Sequence, residues 1–138
     1  MIILDTNVIS ALMYDPPDRQ VVAWLDRQSR SSIWTTSVTT LEIQFGLQIM
    51  PASERRVALE EIFNLILKRI DYRIAPFDDE AARAAAGLMV QRKTSGKPGQ
   101  LSDAMIAGIV LARHASLATR NVTNFADLAA TVVNPWTT

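Results

Sequence analysis

Short apolar runs alternate along the chain with longer stretches whose apolar residues recur every three or four positions. Ile2, Ile3 and Leu4 form a β-favouring run, and Asn7 to Met13 then carries apolar residues at helical spacing. Asp15-Pro16-Pro17-Asp18 breaks the pattern, after which Val21, Val22, Trp24 and Leu25 mark one face of a second helix. Ile33 to Thr36 reads as a second strand. Ser37 is placed to cap a helix from Val38 to Met50 that Pro51 closes, and Ser53 to cap another from Glu54 to about Lys68. Arg73 to Ala75 is a third strand and Asp78 to Arg92 an alanine-rich helix; Ser95-Gly96-Lys97-Pro98-Gly99 is a loop by its turn chemistry. Leu101 to Arg113 is apolar nearly all round, which predicts a central helix. Ser116 to Thr119 and Thr131 to Val133 complete the strands, with a short helix predicted from Phe125 to Ala129.

Strands alternating with helices imply an α/β fold: a parallel sheet of four to five strands, right-handed crossovers, and helices on both faces. The 138 residues suit one domain, 1–138, large enough to bury roughly two-thirds of its unfolded surface. Composition then narrows the chemistry. There is no cysteine, which excludes thiol nucleophiles and thiolate metal sites, and His114 is the single histidine. A bound metal would be held by oxygen ligands, which favour magnesium or manganese. The 14 basic residues balance the 14 acidic ones, so the chain lacks the positive excess of a protein that grips duplex DNA unaided. With no basic leader before the first apolar run and no membrane-length apolar stretch, the expectation is a soluble cytoplasmic protein.

Three acids stand near predicted helix starts. Asp5 follows the first strand, Glu42 lies in the helix after the second, and Asp103 falls in the first turn of the apolar helix. Each has a structural use as well: Asp5 can cap the first helix, and Asp103 can complement a helix dipole while Ser102 supplies the cap. Glu42 shares its helical face with Val38, Thr39, Phe45 and Gly46, an unusual setting for a merely solvated glutamate. In a parallel sheet these helix starts share the carboxyl edge, where three carboxylates can converge. Converging carboxylates repel, and burying them costs several kcal/mol unless a cation neutralises them. Magnesium would resolve the conflict and would lower the pKa of a bound water.

With the acids in place, four segments in order resemble the PIN-domain ribonucleases, specifically VapC-type toxins of bacterial toxin–antitoxin pairs: MIILDTNVIS, TSVTTLEIQFG, LSDAMIAGIVLA, and LATRNVTNF with VVNPW. The resemblance covers essentially the whole chain and implies a PIN-like three-layer α/β/α sandwich. It also implies that Asp5, Glu42 and Asp103 bind Mg2+ or Mn2+ and that a metal-activated water attacks an RNA phosphodiester. Thr6 and Asn7 would position the site, with Thr119 at its rim. Where the family often has a fourth acid, Asn121 stands at or beside that place and Asn124 precedes Phe125. An amide can ligate a cation or orient water but lacks the charge to help hold a second metal, so one tightly held ion is expected. Asp127 is a nearby substitute.

Arg92, Lys93 and Lys97 surround the glycine-proline loop before Asp103, and Arg120 follows Thr119; all are candidates for phosphate contacts. The resemblance further implies a homodimer and an antitoxin that wraps the toxin and presents an arginine to the acidic pocket, with operator DNA bound only through the antitoxin. Val57 to Ile70, Trp24 and Trp34 are partner-surface candidates, though core packing explains each more simply. His114 reads as a favourable helix-end residue. Two alternatives stand beside the nuclease. A phosphatase resembling the haloacid dehalogenases would use Asp5 as nucleophile, but it wants a second aspartate where Asn7 stands. A non-catalytic RNA- or protein-binding module would bind without metal and would not cleave.

Overall fold

In the computed structural model, which describes residues 1–138, the first apolar run becomes the middle strand of a five-stranded sheet. Strand β1 (Ile2–Leu4) lies between β2 (Ile33–Thr36) and β4 (Ser116–Ala118), and β3 (Ile74–Ala75) and β5 (Val132–Val133) form the edges. All four pairings are parallel. Six α-helices connect the strands: α1 (Thr6–Leu12), α2 (Arg19–Asp26), α3 (Ser37–Ile49), α4 (Glu54–Arg69), α5 (Asp79–Thr94) and α6 (Leu101–Ala112). None is long and apolar enough to cross a membrane.

Successive strand residues point to opposite faces, so each strand feeds two cores. Leu4, Ile33 and Ala118 join one with Val8, Trp24, Phe63 and Leu67, beneath α1 to α4. Ile3 and Leu117 join the other with Leu88, Ile106 and Val110, beneath α5 and α6. The PIN-like three-layer sandwich expected from the sequence is therefore the observed fold. Trp24 is a core residue, Trp34 packs half-buried against the second core, and α4 buries Phe63 and Leu67 while Val57 and Leu65 face out.

The alanine content of α5 has a steric reason. A Cβ built on Gly108 of α6 would stand 2.7 Å from the Ala85 Cβ and would also strike the Ala81 carbonyl oxygen. The two helices approach closely because glycine faces alanine, and this seam fixes the height of α6 and of the acid in its first turn. The far end of α6 closes with His114 at φ 51°. Its N–H donates to the Leu111 carbonyl and that of Ala115 to the Val110 carbonyl, a Schellman closure with histidine where glycine is usual.

Most element ends fall within two residues of those read from the pattern. Three differences are physical. Thr36, not Ser37, caps α3: its hydroxyl accepts from the Thr39 N–H at 3.0 Å, while the Ser37 hydroxyl accepts from the Phe77 N–H and ties down the entry to α5. Ser102 does not cap α6, whose N-cap is Gln100 with no side-chain cap bond. The helix expected from Phe125 to Ala129 is instead a 3-10 turn at Val122–Phe125, since burying Phe125 and Leu128 over so short a span leaves no room to propagate an α-helix.

Candidate active site

The chain moves outward from β1 to β2 and β3, then returns to β4 on the other side of β1, so the strand order reverses beside the central strand. Such a reversal opens a crevice beyond the carboxyl ends of the strands. A cleft of about 1050 Å³ occupies it, and Asp5, Glu42 and Asp103, from three separate elements, all line it.

Asp5 is almost fully buried, at 3 % exposure. Its backbone N–H continues the sheet ladder to the Ala118 carbonyl, and its Oδ1 caps α1 by accepting from the Thr6 N–H at 2.8 Å. Its Oδ2 accepts from the Thr119 hydroxyl at 2.8 Å and from Asn7 Nδ2 at 3.3 Å. Asn7 also donates to the Thr119 hydroxyl and accepts from the Arg120 N–H, locking the ends of β1 and β4 together. Helix capping thus accounts for one oxygen only. Glu42 Oε1 accepts from the Thr6 hydroxyl at 2.7 Å, and that hydroxyl lies 3.0 Å from the Thr39 hydroxyl, itself bonded to Thr36. A run of threonines therefore joins the end of β2 to the acids.

Asp5 feels the other two acids. Burial raises the Asp5 carboxyl from 3.8 to about 6; bonds from Thr119 and Thr6 oppose the rise, and the charges of Asp103 and Glu42 add to it. Burial also raises Asp103, against the opposing charge of Arg92 and a hydrogen bond with Asn124. Gathered is not preassembled, however: no three acids stand as a ready-made metal cage, and Glu42 is turned to Thr6. The donor set nonetheless fits a hard divalent cation. It consists of oxygens alone, in one cleft, with a buried carboxyl whose ionised form is held at an electrostatic disadvantage.

Two sequence expectations change here. Arg92 is not an exposed phosphate ligand: it is 4 % exposed, donates to both Asp127 oxygens at 3.0 and 3.2 Å, and reaches the Asn124 carbonyl. Those bonds hold Asp127 below the usual carboxylate range, so Asp127 is committed to Arg92 and does not stand in for a fourth acid. The pair clamps the 3-10 turn onto α5, and Gly99, at φ +67°, passes close over Arg92. Lys93 is exposed but does not line the cleft; Lys97 and Arg120 do. Asn121 and Asn124 both line it, and Asn124 is the one whose side chain favours the ionised Asp103.

Tyr14 carried no readable signal, and Thr39 was visible only as a neighbour of Glu42 on its helix. Tyr14 reaches the cleft only because α1 ends beside it, and Thr39 only through a three-residue hydroxyl relay. Trp136 was visible in NPW but its place was not: the tail returns to the cleft wall beside Arg120.

A PIN domain model matches residues 2–130. The VapC ribonuclease Y4jK of Sinorhizobium fredii is 40 % identical over 137 residues, covering 99 % of this chain and 98 % of the relative. Toxin FitB of Neisseria gonorrhoeae is 33 % identical over 137 residues, 99 % of each chain. Among solved structures, FitAB bound to the IR36 DNA fragment superposes with a TM-score of 0.87 at 32 % identity, covering 100 % of this chain and 97 % of that one. The chain therefore belongs to the PIN-domain family, on its VapC-type branch.

Proposed function

We propose that the chain is a divalent-metal-dependent endoribonuclease and the toxin of a toxin–antitoxin pair. The observation that carries this reading is the meeting of Asp5, Glu42 and Asp103, from three parts of the fold, in one polar cleft. These three residues would hold Mg2+ or Mn2+, with Asn121 or Asn124 contributing neutral oxygens beside them. When bound, the ion supplies an activated water for phosphodiester hydrolysis and charge to offset the developing phosphorane.

The chain's own groups do the rest. Thr119 and Asn7 fix the rotation of Asp5, and Thr6 fixes Glu42. Lys97 and Arg120 bring positive charge to the cleft and would orient RNA phosphates. FitAB in its DNA-bound form and the names of the relatives support a toxin that works as one of a pair; the chain would act in the cytoplasm and would reach operator DNA through its partner.

An apolar cleft of about 710 Å³ lined by Leu12, Leu25, Ile62, Leu65 and Ile66 would seat the antitoxin, leaving an antitoxin arginine to reach the acids. On α3, Leu41, Phe45 and Ile49 follow at four-residue spacing and are 64 %, 65 % and 67 % exposed, a stripe suited to homodimer contact. The test is incubation of the purified chain with structured and unstructured RNAs under magnesium, manganese or chelator, alongside Asp5→Asn. Cleavage that needs the ion and Asp5 supports the reading. Cleavage that ignores both would point to another site, and metal-independent binding without cleavage would favour the non-catalytic module.

A further inference from the structure

Arg120 lies on the cleft wall and makes no side-chain hydrogen bond or ion pair within the chain, yet it is fixed at both ends. Its backbone N–H donates to Asn7 Oδ1 at 3.2 Å, and its guanidinium carbon sits 4.8 Å from the centre of the Trp136 ring. The ring is itself held. Trp136 Nε1–H donates to Asp18 Oδ2 at 3.1 Å, while Asp18 Oδ1 accepts from the Gln20 and Val21 N–H groups and caps α2. The Asn134 side chain accepts from the Trp136 N–H at 2.9 Å, and Pro135 between them is buried. The tail after β5 is thus folded back and latched through Asp18 to the start of α2.

We propose that Trp136 is a positioning residue for RNA binding: latched by Asp18, its ring holds the Arg120 guanidinium at the mouth of the carboxylate cleft with its donors free for a phosphate. An arginine over an aromatic face loses little further freedom on binding, and its planar fork can still donate to phosphate oxygens. The Arg120 charge is felt by Asp18, so the carboxylate that latches the ring also attracts the cation the ring carries. This inference rests on the ribonuclease reading for its ligand, a single-stranded RNA.

The test uses the full chain carrying Asp5→Asn, so that RNA is bound and not consumed, and reads anisotropy of a labelled single-stranded RNA across a salt series. Arg120→Ala is expected to weaken binding and to flatten the plot of log affinity against log salt by ~0.7, the loss of one phosphate contact. Trp136→Ala is expected to weaken binding by roughly three- to fivefold, Trp136→Phe, which keeps an aromatic face but loses the bond to Asp18, to recover only part of that loss, and Trp136→Ala to add nothing once Arg120 is alanine. Equal losses from Trp136→Ala with and without Arg120 would overturn the inference, because the ring would then act on RNA directly. Unchanged binding with a lowered Tm would overturn it too, as the mark of a tail anchor alone. Cleavage by the unaltered chain is scored separately, so the coupling can hold while the nuclease reading fails, or the reverse.

Discussion

The seam between α5 and α6 and the cleft above it are both places where groups stand closer than usual, and they are tight for opposite reasons. In the seam, Gly108 gives up a side chain so that Ala81 and Ala85 can approach, and close packing stabilises the fold. In the cleft, Asp5 is buried near two other acids, and the crowding works against the folded state whenever Asp5 is ionised. The first crowding is structural. The second exceeds what capping α1 and joining β1 to β4 requires, and it is the feature from which the metal proposal starts.

Breaking the cleft should have the largest effect on activity. Asp5→Ala or Asp103→Ala is expected to lower RNA cleavage at least ~100-fold, equivalent to about 2.7 kcal/mol of lost transition-state stabilisation. Single-turnover assays on chains with unchanged circular dichroism check this. Breaking the seam should have the largest effect on stability: Gly108→Ala is expected to destabilise by roughly 2–3 kcal/mol through backbone overpacking, read from the urea midpoint. A neutral result there would mean the helices can part without penalty.

The two regions should then diverge in sign. Under chelator at pH 7.5, Asp5→Asn is expected to stabilise the chain by about 1–3 kcal/mol, because it removes a buried charge while the amide oxygen can still accept from the Thr6 N–H. The pH dependence follows. The folded carboxyl, at about 6, keeps a proton that the unfolded one, at 3.8, has released. Its contribution is complete below the lower value, falls as pH rises between the two, and is gone above the higher. Thermal melts from pH 4 to pH 7 should therefore lose a component that Asp5→Asn lacks. The smallest effect belongs to the end of α6: His114→Gly is expected to add roughly 0.5–1 kcal/mol by relieving the left-handed backbone.

Much of this arrangement was legible in the sequence, because strand and helix periodicity are local and each of the three segments carrying an acid is short and unbroken. The strand positions and the crowded α6 follow from patterns a few residues long. What stayed hidden depends on distance in the chain. Arg92 reads as part of a basic loop, yet the return of residues 122–127 buries it against Asp127, 35 positions away. Ser37 and Ser102 read as caps because both precede apolar runs, but a tertiary partner took one, and the other lies inside a helix that starts a residue earlier. Trp136 and Asp18 are 118 positions apart, and no local rule joins them.

The most direct test of the central claim is metal binding itself, measured by calorimetry with Mn2+ at pH 7.5. One ion per chain is expected to bind tightly, to raise the Tm, and to be lost in Asp5→Asn and in Asp103→Asn. A chain that binds no divalent ion, or binds it undiminished when both acids are neutralised, would contradict the account.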